Sequence, residues 1–122
     1  MTSPMVRTLK VIKEQELPYW KVEYWNNFAR RRIDLFNIID VLVLDSGIVG
    51  IQVCGSDLSS HKQKIMVGEK TATFNWLSNG ARLEVWAWRK LLKKRGGKAK
   101  KWVPRIIDVF LVNKAVLYWE ER

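Results

Sequence analysis

The residues that could do chemistry gather around one short hairpin. In IDVLVLDSGIVGIQVCG, Asp45-Ser46-Gly47 is a turn signal between two runs of Ile, Val and Leu. A three-residue turn pairs Leu44 with Ile48, and counting outwards sets Asp40 opposite Gln52. Alternation puts Asp40, Leu42 and Leu44 on one face with Ile48, Gly50 and Gln52. The other face, Ile39, Val41, Val43, Val49, Ile51 and Val53, is uniformly apolar. A carboxylate buried in such company is costly unless it is paired or holds a cation. Asp40 and Gln52 therefore either form a hydrogen-bonded pair closing the sheet or supply two oxygen ligands to a hard divalent cation such as Mg²⁺.

Other polar residues compete for a role. Asp34 shares the parity of Asp40, but a straight strand rising about 3.3 Å per residue would hold them about 20 Å apart. A bend at Asn37 would shorten that distance, but pairing with Arg30–Arg32 is the expected explanation. Asp108 alternates within RIIDVFLV and reads as structural. Ser56, Ser59 and Ser60 become nucleophiles only with a base nearby, and His61 is the one imidazole in the chain. A single Cys excludes a disulfide framework and a Cys-based zinc site, and a single His excludes His-pair metal motifs.

The elements that must position these residues follow from periodicity. Residues 1–16 have no clear period and read as a loose or edge segment. Leu17, Trp20, Tyr24 and Phe28 recur at helical spacing, and Pro18 suits a first turn, so an amphipathic helix is expected over Leu17–Arg31. Glu23 borders its apolar stripe and faces either solvent or the site. A strand and the hairpin follow. Ser60 and Gln63 form a capping-box pattern opening a helix to about Ser78, which Asn79-Gly80 closes. Ala81–Trp88 and Trp102–Val112 read as strands. The order α-β-β-β-α-β-β predicts one small α/β domain with a mixed sheet over the 122 residues.

Between the last two strands lies RKLLKKRGGKAKK, with Arg89, Lys90, Lys93, Lys94, Arg95, Lys98, Lys100 and Lys101 and no acid. These eight residues supply most of the net charge of +10. The segment is either a solvated loop or an arm along a nucleic-acid backbone, where each neutralised phosphate releases counterions. Flanking Trp86, Trp88 and Trp102 favour an ordered hairpin. No apolar run approaches the roughly 18 residues of a membrane span, and MTSPMVRTLK lacks a signal core. A soluble, reducing, cytoplasmic setting without secretion is expected.

On these residues the chain resembles the PD-(D/E)XK nuclease superfamily over roughly Leu17 to Val112. RIDLFNIIDVLVLDSGIVGIQVCGSD carries the resemblance, and is similar to small phage or metagenomic proteins akin to Holliday-junction resolvases. The resemblance implies a restriction-endonuclease-like αβββαβ core, a mixed sheet flanked by helices. It makes Asp40 the motif's Asp, with Ile39 in the place of Pro, and Gln52 its acidic position. Glu23 would be an upstream helical ligand. Cys54 stands where the motif has Lys, so the cation would come from the next helix, as in members that have moved it there. Helical geometry favours Lys62, which extends the stripe of Ile65, Met66, Ala72, Trp76 and Leu77, over Lys64, and His61 is a candidate phosphate contact. The implied activity is Mg²⁺-dependent DNA cleavage, with Mn²⁺ substituting. It involves Asp40, Gln52, Glu23 and Lys62 or Lys64, and the resemblance points to branched DNA as substrate and to a homodimer. The competing expectation is a nucleic-acid-binding module without catalysis.

Overall fold

The computed structural model describes residues 2–122. Its first helix, α1 (Pro4–Glu14), occupies the stretch expected to be loose. Ser3 caps it by accepting from the Val6 N–H at 3.2 Å, and Pro4 takes the first turn, where its missing N–H costs nothing. Thr8 and Ile12, one turn apart, are its buried residues.

The helix expected over Leu17–Arg31 is instead three short strands: β1 (Tyr19–Lys21), β2 (Tyr24–Asn26) and β3 (Arg31–Ile33). Trp20, Tyr24 and Phe28 are exposed, so their helical spacing marks no buried stripe. The Asn26 side chain accepts from the N–H groups of Phe28 and Ala29 at 2.9 Å each. Such a local turn competes with helix, and aromatic side chains fit strands well. The first-turn proline signal belongs to Pro4, capped by Ser3, and not to Pro18.

The chain then doubles back before the main hairpin. Leu35 and Ile39 bridge each other across Phe36 and Asn37, whose φ angles are 54° and 61°. Two consecutive left-handed residues make a tight reversal, which Asn tolerates better than most. β4 (Val41–Leu44) and β5 (Ile48–Cys54) follow in the expected register, from Leu44 opposite Ile48 to Val41 opposite Ile51. Gly50 has no side chain because Ile39 and Trp76 press against it; an added Cβ would lie 2.8 Å from Ile39.

The expected helix from Ser60 to Ser78 comes in pieces: α2 (Leu58–Gln63), a π-helical turn (Lys64–Gly68) and α3 (Lys70–Ser78). Thr73 stitches the turn, donating to the carbonyls of Ile65 at 2.8 Å and Glu69 at 3.0 Å. β6 (Arg82–Leu92) runs parallel to β5, and β7 (Lys100–Val112) and β8 (Val116–Glu121) continue antiparallel. The result is a mixed six-stranded sheet in the order β1-β4-β5-β6-β7-β8. Beside it lies the separate β2–β3 ribbon. α1 covers one face through Ile12 against Val41, Val43, Ile51 and Trp86. The α2–α3 segment covers the other, with Ile65 packed among Ile39, Leu83, Val85 and Ile107. Among the described residues no helix is long and apolar enough to cross a membrane.

Candidate functional site

Where β4 begins and β5 ends, the sheet opens into a cavity of about 660 Å³. Glu23, Asp34, Asp40 and Asp57 line it together with Lys21, Arg31, Arg32 and Lys64. Asp40 is 7% exposed, and its carboxylate accepts from the Val53 N–H at 2.8 Å. Burial pushes its carboxyl up to about 7; the Val53 bond opposes this, while Glu23 and Asp34 add to it.

Asp34 is therefore a neighbour of Asp40, near enough for its charge to raise the Asp40 carboxyl, and not a residue about 20 Å away. The reversal at Phe36-Asn37 is the cause: the Leu35–Ile39 bridge sets Asp34 opposite Asp40. Its cationic partner is Lys64, at 3.5 Å, in place of the expected Arg30–Arg32. Glu23 lies between β1 and β2, not on a helix. Its backbone N–H donates to the Asp40 carbonyl at 3.3 Å, and its carboxylate meets Arg32 at 3.0 Å.

Gln52 goes elsewhere. The register sets it next to Asp40, but the ladder ends at Val41–Ile51 and the side chains part. Gln52 is fully buried; its amide nitrogen donates to the Ile38 carbonyl at 2.9 Å, and its oxygen meets His61 Nδ1 at 2.8 Å. It lies outside the cavity lining, so the shared-ligand arrangement expected of Asp40 and Gln52 does not form. Lys62 is also displaced: its ammonium sits 5.5 Å from the Trp119 ring on β8. Residues two apart on a helix point to opposite flanks, and it is Lys64 that turns towards the acids.

Cys54, at the end of β5, is buried, and burial pushes its thiol up to about 12, helped by Asp57 and Asp40. It stands in a group with Asp57 and His61 whose ligand atoms lie within 4.8 Å of one another. Counting Cys and His separately misses this group, because each residue type contributes once. The legible signal was the Cys-x₂-Asp-x₃-His spacing from a strand end into a helix start. Gln52 and Asp57 engage both ring nitrogens of His61, at 2.8 and 3.3 Å, so Ser56, Ser59 and Ser60 have no base in it.

The basic segment is the tip of the long β6–β7 hairpin. Arg89 and Lys90 lie on β6, Lys100 and Lys101 on β7, and Lys93, Lys94, Arg95 and Lys98 in the connection. All eight are exposed. Trp102 anchors the base of the tip, with the Arg7 guanidinium 3.9 Å and the Lys90 ammonium 5.2 Å from its ring. Asp108 is structural, bound to Arg122 at 2.9 Å. No family model, curated protein or solved structure matches the chain.

Proposed function

We propose that the protein is a metal-dependent DNA endonuclease of the PD-(D/E)XK kind, hydrolysing phosphodiester bonds. The observation that carries this is the meeting of Asp40, Asp34 and Glu23 in one cavity, with Lys64 3.5 Å from Asp34. The order of α1, the antiparallel strands β1-β4-β5, the α2–α3 crossover and the parallel β6 supports a restriction-endonuclease-like core.

Three carboxylates are a hard, all-oxygen donor set, which suits Mg²⁺ or Mn²⁺. Asp40, Asp34 and Glu23 would hold the ion, with Asp34 taking the place expected of Gln52. Such an ion polarises a phosphoryl oxygen and makes bound water more acidic. Lys64 supplies a cation for the charge that develops on the phosphate. Lys21, Arg31 and Arg32 line the same cavity and meet the flanking backbone. The β6–β7 tip adds affinity without a base code, because its side chains reach phosphates. Branched DNA is the substrate shape we favour, cut by a homodimer so that paired strands receive one site each.

A nucleic-acid-binding module without catalysis is the second reading. Cys54 in the place of the motif's Lys and the inward turn of Gln52 favour it. A nicking assay on linear, forked and four-way DNA with Mg²⁺ or Mn²⁺ separates the two. Cleavage that Asp40→Asn removes while DNA binding persists is the expected result. Wild-type protein that binds these DNAs and cuts none would establish the binding module.

A further inference from the structure

The cavity wall holds a second cluster whose chemistry the three carboxylates lack. The chain has one Cys and one His, and folding brings both to the same place. Cys54 ends β5, Asp57 precedes α2, and His61 lies one turn into that helix.

The hydrogen bonds fix where the His61 proton sits. A backbone carbonyl only accepts, so the Gln52 nitrogen faces Ile38 O, at 2.9 Å, and the Gln52 oxygen faces His61 Nδ1, at 2.8 Å. That oxygen also only accepts, so Nδ1 carries the hydrogen. Nε2 is left facing the Asp57 carboxylate at 3.3 Å, with the Cys54 sulfur alongside. Two acceptors that close need a cation between them, either a proton on Nε2 or a metal ion. An imidazole oriented through its far nitrogen by a buried oxygen is how metal-ligating histidines are held.

We propose that Cys54, Asp57 and His61 form a site for a borderline divalent ion, Zn²⁺ before others, with its fourth position open to the cavity. A thiolate, an imidazole and a carboxylate suit zinc, whereas Mg²⁺ takes oxygen ligands. Ligand atoms around a tetrahedral zinc lie roughly 3.3–3.6 Å apart, given bonds of about 2.0–2.3 Å. The Asp57–His61 pair already has that spacing, at 3.3 Å, and all three ligand atoms lie within 4.8 Å, so a side-chain movement of Cys54 closes the set. Binding transfers the thiol proton to solvent and leaves a metal thiolate. The ion would tie the end of β5 to α2 at His61, three residues before Lys64. This site is separate in ligands and in metal preference from Asp40, Asp34 and Glu23.

Metal-stripped full-length protein titrated with Co²⁺, then with Zn²⁺, tests the site. One equivalent of Co²⁺ should give a thiolate-to-cobalt charge-transfer band with tetrahedral visible absorption. Zn²⁺ should bleach it, and excess Mg²⁺ should not. Because the chain has one Cys and one His, the band reports this site alone. Cys54→Ser should lose the band. Asp57→Asn, at a side chain 61% exposed and so safe for the fold, should weaken Co²⁺ binding at least about tenfold. Gln52→Leu keeps all three ligands but removes the orienting oxygen, and about a 10–100-fold loss is expected. Asp40→Asn should keep the band and change Co²⁺ affinity far less than Asp57→Asn does, so failure of the carboxylate site would not disturb this result. Absence of stoichiometric Co²⁺ binding, or unchanged affinity in Asp57→Asn, would reduce the cluster to a His–Asp ion pair and overturn the proposal.

Discussion

Asp40 concentrates the electrostatic tension of the molecule. Its carboxyl is held up to about 7 from 3.8, chiefly by burial, so the folded state keeps a proton that the unfolded chain gives up. The stability tied to that proton is complete below pH 3.8 and is lost as pH rises through about 7. Asn in its place can still accept from Val53 N and never ionises. Asp40→Asn should therefore raise the metal-free stability at pH 8 by on the order of 2–4 kcal/mol, with the gain shrinking towards pH 4. Denaturant melts at the two pH values measure this, and a variant less stable than wild type at pH 8 contradicts it. Added Mg²⁺ should stabilise wild type and not the variant, because a bound ion selects the folded state. The lysines give a sharper contrast. Lys64 faces Asp34 and Lys62 faces Trp119, so Lys64→Ala should cut cleavage about 100-fold or more and Lys62→Ala only a few-fold. Equal losses in single-turnover rates would remove the special role of Lys64.

At the scale of elements, β5 and the β6–β7 hairpin do different work. Gly50 on β5 lets Ile39 and Trp76 close over the strand, and an added methyl would meet their side chains at 2.8 and 2.9 Å. Gly50→Ala should cost about 1–3 kcal/mol, since overpacking forces neighbours off their rotamers. It should also loosen the Ile39–Asp40 segment that leads into the site. Urea melts that coincide with wild type would show that the core yields there. The hairpin tip projects its lysines into solvent on two strands and a short connection. Replacing Lys93, Lys94, Lys98 and Lys100 with Gln should weaken DNA binding for every sequence and flatten the salt dependence. Full loss of four phosphate contacts would change the slope of log K against log salt by about 3–4. An unchanged slope would mean that the tip does not touch DNA.

For the whole molecule, two surface features stand out, a basic hairpin tip and a set of exposed aromatics. The basic tip extends from one end of β6 and β7. Trp20 on edge strand β1, Trp25 on β2, Phe28 in the β2–β3 turn and Phe36 in the reversal before β4 stay exposed, with Phe28 fully accessible at 102%. Exposed aromatics of this number mark a contact surface more often than a bare one. The homodimer proposed for paired cleavage would use this edge. Sedimentation across a rising concentration series should then show self-association in wild type that Phe28→Ser reduces. A monomer at every concentration, in the presence and absence of four-way DNA, would leave paired cutting without a partner subunit.

The sequence by itself determined what depends on near neighbours. The β4–β5 register follows from Asp45-Ser46-Gly47 and strict alternation, because a slip of one residue would turn the apolar face of Val41, Val43 and Ile51 outwards. The charge run at the hairpin tip was legible for the same reason: its position is set by the strands on either side. Tertiary structure decided the rest. Helical spacing of Trp20, Tyr24 and Phe28 was outweighed by the Asn26 turn and by strand pairing, with β1 bound to β4. Asp34 reached Asp40 only because Phe36 and Asn37 adopt left-handed backbone, which no periodicity announces. Gln52 left the site because Ile38 offered its carbonyl and His61 its Nδ1, residues fourteen and nine positions away. Lys64 replaced Lys62 because a helical wheel gives the angle between two side chains, and only packing of the helix on the sheet decides which flank meets the acids.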